Sequence, residues 1–298
     1  MRYRQVRELD RGTVSTLMVI ALVLLGVLFL MYPVASTLWN NYQAAEVTKQ
    51  YRSIAEDQPA EELSRELRKA QLFNEEKARG PVLDPWLERF ATDSPDFREY
   101  EQQLSSNAAM GRLVAPAIDV DLPIYHGTSE DTLQKGLGHL YGSDLPVGGE
   151  GTHSMITGHT GLPNASMFDN LSDLDLGGEF YLQVAGQKMK YQVDQIDVVL
   201  PHEVDALKAE TNGDFVTLIT CTPYGINTHR LLVRGHAVPL DADDARILDD
   251  MYSGFWMWWM TALVIAALIA VVATIWWLSK WRRRPVDPAP EKVAVTQS

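Results

Sequence analysis

The chain has 298 residues, 46% of them hydrophobic, with 26 basic against 39 acidic residues and a formal charge of −13. Nine of the basic and four of the acidic residues lie in segments 1–12 and 279–298, so the region between them holds 17 and 35 and carries about −18. That excess of acid argues against a nucleic-acid partner, which needs clustered Lys and Arg to displace counterions. The single cysteine, Cys221, excludes an internal disulfide. No His, Cys and carboxylate grouping has metal-ligand spacing, and no cofactor is expected.

Segment 1–12 is basic through Arg2, Arg4, Arg7 and Arg11, and Thr13 to Tyr32 follows with no charge at all. About twenty such residues cross a hydrocarbon core as a helix, so 13–32 reads as a membrane span. The alternative is a secretory signal cut near Val34-Ala35-Ser36, but the apolar stretch exceeds the usual core of about 7 to 15 residues, which favours an uncleaved anchor. Segment 33–104 is charged and rich in helix formers from Trp39 onward. Apolar residues recur at four- and three-residue steps through Glu61–Ala70, and Pro59 and Gly80-Pro81 punctuate the region, predicting two helices. Next comes Leu83-Asp84-Pro85-Trp86-Leu87, where Pro85 pins the backbone and keeps Asp84 out of a helix. An acid and a large aromatic thus share one short loop, which taken alone reads as a solvated turn with a core tryptophan.

Residues 105–240 read as the catalytic domain. Apolar Met155 and Ile156 lead into Thr157-Gly158-His159-Thr160-Gly161-Leu162-Pro163, which sets His159 among glycines at a strand end. Cys221 follows 62 residues later. Phe215–Thr220 and Leu231–Val233 read as strands, joined by a loop over Thr222–His229 that carries Pro223, Gly225 and Asn227. Such a hairpin puts Cys221 at the end of one strand and Arg230 at the start of its neighbour. A lone cysteine is commonly a small buried hydrophobe; at a strand end facing a Thr-Pro-Tyr-Gly loop, a reactive thiol is the competing reading. A thiol nucleophile needs a partner that exchanges a proton near neutral pH, which is histidine chemistry. His126, His139, His153 and His202 lack a comparable loop context, and His229 and His236 flank the Arg230 strand. His159 is therefore the candidate, its alternative being a capping or solvated loop histidine.

Segment 241–253 reads as a linker and 254–278 as a second span, with aromatic residues near both of its ends, as in an interface belt. Lys280, Arg282, Arg283 and Arg284 open a basic tail, 279–298. Positive charge outside both spans predicts a cell-membrane protein with both flanking segments in the cytoplasm and the domain between them outside.

The runs Asp119–Gly127, Gly148–His153, Thr157–Pro163 and Thr217–Arg230 resemble the sortases, and within them the class C, pilus-assembling type, over roughly residues 80–240. The resemblance implies a mainly β fold: an eight-stranded sortase-type barrel with N-terminal lid helices and two flanking transmembrane helices. It implies His159, Cys221 and Arg230 as catalytic triad, and Asp84-Pro85-Trp86 as a lid over the active site, its carboxylate on Arg230 and its indole over the thiol. One departure is Thr160, where many class C members carry Arg; this is expected to alter the rim of the site and not its chemistry. The implied activity is that of a cysteine transpeptidase. It cuts a Leu-Pro-x-Thr-Gly-like sorting signal of a pilin and joins the thioacyl intermediate to a lysine amine of another subunit. The rival readings are a housekeeping sortase that attaches proteins to the wall, an extracellular cysteine protease, and a catalytically silent peptide-binding scaffold.

Overall fold

The computed structural model describes residues 11–76, 94–203, 212–250 and 256–282. The chain forms two compact units, one from the segments up to Ala35 and from Met257 onward, the other from residues 36–256. Helix α1 (Arg11–Asp57) begins in the first unit and ends in the second. It is expected to stop near Tyr32 and instead runs through Pro33 to Asp57; the helix formers on both sides carry it past the missing backbone donor. Pro59 then separates it from α2 (Ala60–Glu76), and α3 (Pro95–Glu101) starts at a Ser94 cap whose Oγ accepts the Phe97 N–H. The apolar part of α1 and the later α6 (Trp258–Arg282) are each long and apolar enough to cross a membrane.

The second unit is built on a barrel. Its strands are β1 (Gly111–Ala115), β2 (Val120–His126), β3 (Leu137–His139), β4 (Thr152–Thr157), β5 (Glu179–Val184), β6 (Gln187–Val199), β7 (Asp214–Thr222) and β8 (His229–Val238), with the short helix α4 (Glu130–Leu133) between β2 and β3. They close in the order β1-β2-β3-β4-β7-β8-β6-β5, so the fold is the mainly β, eight-stranded barrel expected. β2 with β3 and β4 with β7 are parallel, and the other pairs are antiparallel. Ile124, Leu137, Ile156, Phe180, Tyr191, Leu218 and Val233 fill the interior, each contributing about 1.5–3 kcal/mol of burial. Packing is close where β8 passes the stacked Phe180 and Tyr191 rings: a Cβ on Gly235 would meet Phe180 at 2.6 Å.

Helices are fastened to this barrel by polar side chains. From α1, Asn40 Nδ2 donates to Asn164 O at 2.8 Å, and Asn41 Oδ1 accepts the Ser166 N–H at 3.1 Å. From α2, Asn74 exchanges two hydrogen bonds with the Leu145 backbone. Segment 241–253, expected as a linker, instead contains α5 (Ala242–Asp250), which is held at Asp244, Leu248 and Asp249, the last by Arg52 and Lys188. Asp244 accepts from Tyr181 and Lys190, and Arg112 Nη1 reaches the Leu248 carbonyl at 2.8 Å. Arg112 is 1% exposed and grips Asp121 through two 2.7 Å hydrogen bonds, so its charge is neutralised inside the wall. The sequence pattern of 241–253 is polar, and the apolar contact it makes comes down to Leu248 beside Val114 and Tyr181.

His139 on β3 ties α3 to the barrel. Its Nε2 lies 2.8 Å from the Asp144 carbonyl, an oxygen that only accepts, so Nε2 carries the proton and Nδ1 accepts from the Tyr100 hydroxyl at 2.9 Å. The ring is therefore neutral, and burial pulls it down from the usual 6.5 to about 4. With the folded value below the unfolded one, stability is complete above about pH 6.5 and is lost as pH falls toward 4, by about 3 kcal/mol in all. Desolvated His126 contributes in the same direction. The melting temperature of the barrel should thus drop between pH 7.5 and pH 5, and the drop should be smaller in His139→Gln. An equal drop in both proteins would assign the loss to other groups.

Candidate active site

Three strands bring the candidate residues together. In the β4–β7 pair Thr157 sits beside Ile219, an offset of 62 residues, and the Gly158 N–H continues the ladder to Ile219 O at 3.1 Å. Thr220 Oγ1 donates to Gly158 O at 2.7 Å, which locks the same step from the other side. His159 and Cys221 share that offset, so they leave their strands side by side. In the β7–β8 pair Cys221 is directly opposite Arg230, on one face of the sheet, and Arg230 Nη1 lies 3.5 Å from Cys221 Sγ. Gly158 has a packing reason: a Cβ there would meet Leu137 at 2.6 Å and Phe168 at 2.9 Å.

Both groups of the pair are sheltered. Cys221 is 8% exposed and Arg230 6%, and Arg230 Nη1 also faces the Asn227 and His229 carbonyls. The β7–β8 loop turns through a cis Thr222–Pro223 peptide and exposes Tyr224 and Ile226. Burial pushes the His159 imidazole below the usual histidine value, and the carboxylate of Glu130, whose Oε2 lies 3.6 Å from Nε2, pulls it back up. On the other side of the His159 loop, Asp169 accepts from the Gly161 N–H at 2.7 Å and from Thr160 Oγ1 at 3.4 Å. Thr160 is buried there, so its hydroxyl braces the loop. Other histidines have contacts elsewhere: His126 with Gln103 O, His153 with Thr217, His229 with Thr228 and His236 with Asp194. Asp84, Pro85 and Trp86 lie outside the described residues.

Glu130 and Asp169 carry no sequence signature of a role beside His159. Ser129-Glu130-Asp131-Thr132 reads as a capped helix start, and nothing local in it signals a histidine that the topology delivers from 29 residues away.

A family model described as Sortase domain matches residues 113–238. The crystal structure of sortase C-1 from Actinomyces oris is 50% identical, with a TM-score of 0.59, over 60% of this chain and 99% of that one. The chain belongs to the sortase family. Sortase C from Streptococcus pneumoniae, in a structure described as bearing on catalysis and pilin substrate specificity, is 44% identical with a TM-score of 0.62, over 66% of this chain and 98% of that one. A lid mutant of sortase A from Corynebacterium diphtheriae is 46% identical with a TM-score of 0.57, over 62% and 97%. Sortases are cysteine transpeptidases, and this sortase has the chemical parts for such a reaction at one barrel end: a thiol, a guanidinium that favours its ionised form, and a neighbouring imidazole.

Because this sortase has one cysteine, alkylation reports on that thiol alone. Arg230→Met removes the adjacent cation while keeping much of the side-chain volume. It should slow modification of Cys221 by iodoacetamide at neutral pH about five- to tenfold, read by mass spectrometry of the intact protein. An unchanged rate would show that the 3.5 Å contact does not activate the sulfur.

Proposed function

We propose that this sortase polymerises pilins. It cuts a Leu-Pro-x-Thr-Gly-like sorting signal after Thr, keeps the acyl group on Cys221, and passes it to a lysine amine of another pilin subunit. The observation that carries this reading is the Arg230–Cys221 pair beside the His159 loop. The thiolate attacks the threonine carbonyl and forms the C–S bond. Arg230 donates to the oxygen that becomes negative, and His159 gives its proton to the departing glycine amine. In the second half His159 takes a proton from the incoming lysine amine, which attacks the thioester and releases the thiolate. The pilin as partner is supported by the likeness to sortase C proteins, one of them described in terms of pilin substrate specificity. Anchoring in the cell membrane is supported by the two apolar helices and the basic segments beyond them, with the catalytic domain outside and both basic segments in the cytoplasm.

The test combines full-length protein with a donor peptide bearing the signal and a pilin-derived lysine acceptor, and identifies products by mass spectrometry. The wild type should give an isopeptide-linked product. Cys221→Ala should give none, and His159→Ala and Arg230→Ala should fall to a common floor about three orders of magnitude or more below wild type, because residues acting as a unit fail together. Arg230→Lys should also be poor, since it keeps the charge and loses the planar fork. Hydrolysed donor without isopeptide product would turn the reading to a protease. Near-normal yield from any variant would remove that residue from the mechanism.

The lid of Asp84, Pro85 and Trp86 belongs to the same proposal, supported by the tripeptide itself and by the relative from Corynebacterium diphtheriae, of which a lid mutant is known. A thiol reagent that cannot enter cells should label Cys221 on intact cells, and should label the Asp84→Ala, Trp86→Ala double variant faster. The gain reaches about a hundredfold if the closed lid is favoured by roughly 2.7 kcal/mol. No labelling of either protein on intact cells would overturn the topology. Equal rates would make the segment an ordinary turn.

A further inference from the structure

Glu130 opens α4, whose N-terminus is capped by Ser129 accepting the Thr132 N–H at 3.2 Å. Its two carboxylate oxygens have different partners. Oε1 accepts from the Gln134 side chain at 3.1 Å, one helical turn on, and Oε2 lies 3.6 Å from His159 Nε2. The contact follows from topology: α4 leads into β3, β3 pairs with β4, and β4 ends at the His159 loop. An anion 3.6 Å from Nε2 restrains the plane of the imidazole. It also favours the imidazolium, the form in which His159 enters the first half of the reaction and leaves the second.

We propose that Glu130 is the positioning residue of this active site, orienting the His159 imidazole and stabilising its protonated form through Nε2. This rests on His159 being the acid and base of the proposed reaction. Of the neighbouring elements, β7 carries Cys221 at the same offset as His159, β8 carries Arg230 opposite Cys221, the far arm of the His159 loop carries Asp169, and Tyr224 of the β7–β8 loop lies near Gly161. Asp169 accepts from Gly161 and Thr160, and the carboxylate on α4, 3.6 Å from Nε2, favours protonation of the ring. The Glu130 side chain is 54% exposed, which screens the pair and makes its influence dependent on salt.

Glu130→Gln keeps the size of the side chain and the oxygen that receives Gln134 while removing the charge. In full-length protein with labelled histidine rings, NMR titration, with the His159 signal assigned by its loss in His159→Gln, should show the His159 value lowered by about half to one pH unit at low salt. The shift should shrink as salt is added. The limb of the transpeptidation rate profile that tracks His159 should move down with it, kcat should fall about three- to thirtyfold with donor KM little changed, and Glu130→Asp should recover part of both. An unmoved His159 titration in Glu130→Gln overturns the proposal. So does a lower melting temperature without a titration shift, which would mark Glu130 as a helix-start residue only. Failure of the wider reading is a different result: activity that survives His159→Ala, whatever the titration shows.

Discussion

The site depends on one register running across three strands. Thr157 beside Ile219 and Cys221 opposite Arg230 are consecutive constraints on the same ladder, and β7 takes part in both. A slip of one residue on either side of β7 would turn Cys221 to the other face of the sheet or carry Arg230 past it. The β4–β7 pair is parallel and non-local, so no tight turn sets its alignment. Side chains do that work instead: Thr157 Oγ1 and Gly158 N–H both reach Ile219 O, and Thr220 Oγ1 returns to Gly158 O. Gly158 must stay small for the strands to come this close.

Around that ladder, buried polar groups tell each appended segment where to dock. Tyr100 reads His139, Asn74 reads the Leu145 backbone, Asn41 reads Ser166, and Arg112 reads Asp121 and Leu248. Each such contact adds little net stability when formed and costs much more when one partner is missing. Misplaced packing of a helix is therefore penalised far more strongly than apolar contact alone would penalise it. The loop over residues 160–169 profits most: Asp169 ties its two arms, and the Asn40 and Asn41 contacts tie its outer edge, leaving the strand end that carries His159 little freedom.

Much of this was legible in the chain itself. Cys221 and Arg230 stand nine residues apart across a Pro-Gly-Asn loop, which is enough to predict their sharing one sheet end. Glycines around His159 at a strand end gave the second part, and the family resemblance supplied the barrel. What escaped had no local signature. Glu130 meets His159 only because β3 and β4 are neighbours, which single-sequence patterns do not encode. The docking of α5 hinges on two carbonyls and two carboxylates, those of Asp244, Leu248 and Asp249, within a polar stretch. The length of α1 has no sequence signature either, because Pro33 and the end of the apolar run look like a boundary while the helix continues through them.

Arg112 also defines how the catalytic unit can be cut from its surroundings. The region matched by the family begins at residue 113 and ends at 238, one residue after this arginine and ten before the carbonyl that it holds. A fragment trimmed to those bounds would lose the arginine, its α5 partner and the Asp244 anchor for Tyr181 and Lys190 in a single step. Ending the fragment at Val238 alone would strand a buried guanidinium N–H without its acceptor, a defect worth about 1–3 kcal/mol. The piece that folds is thus longer at both ends than the region matched by the family model, and expression of an isolated barrel should be planned around the hydrogen bonds of α5 and not around those bounds.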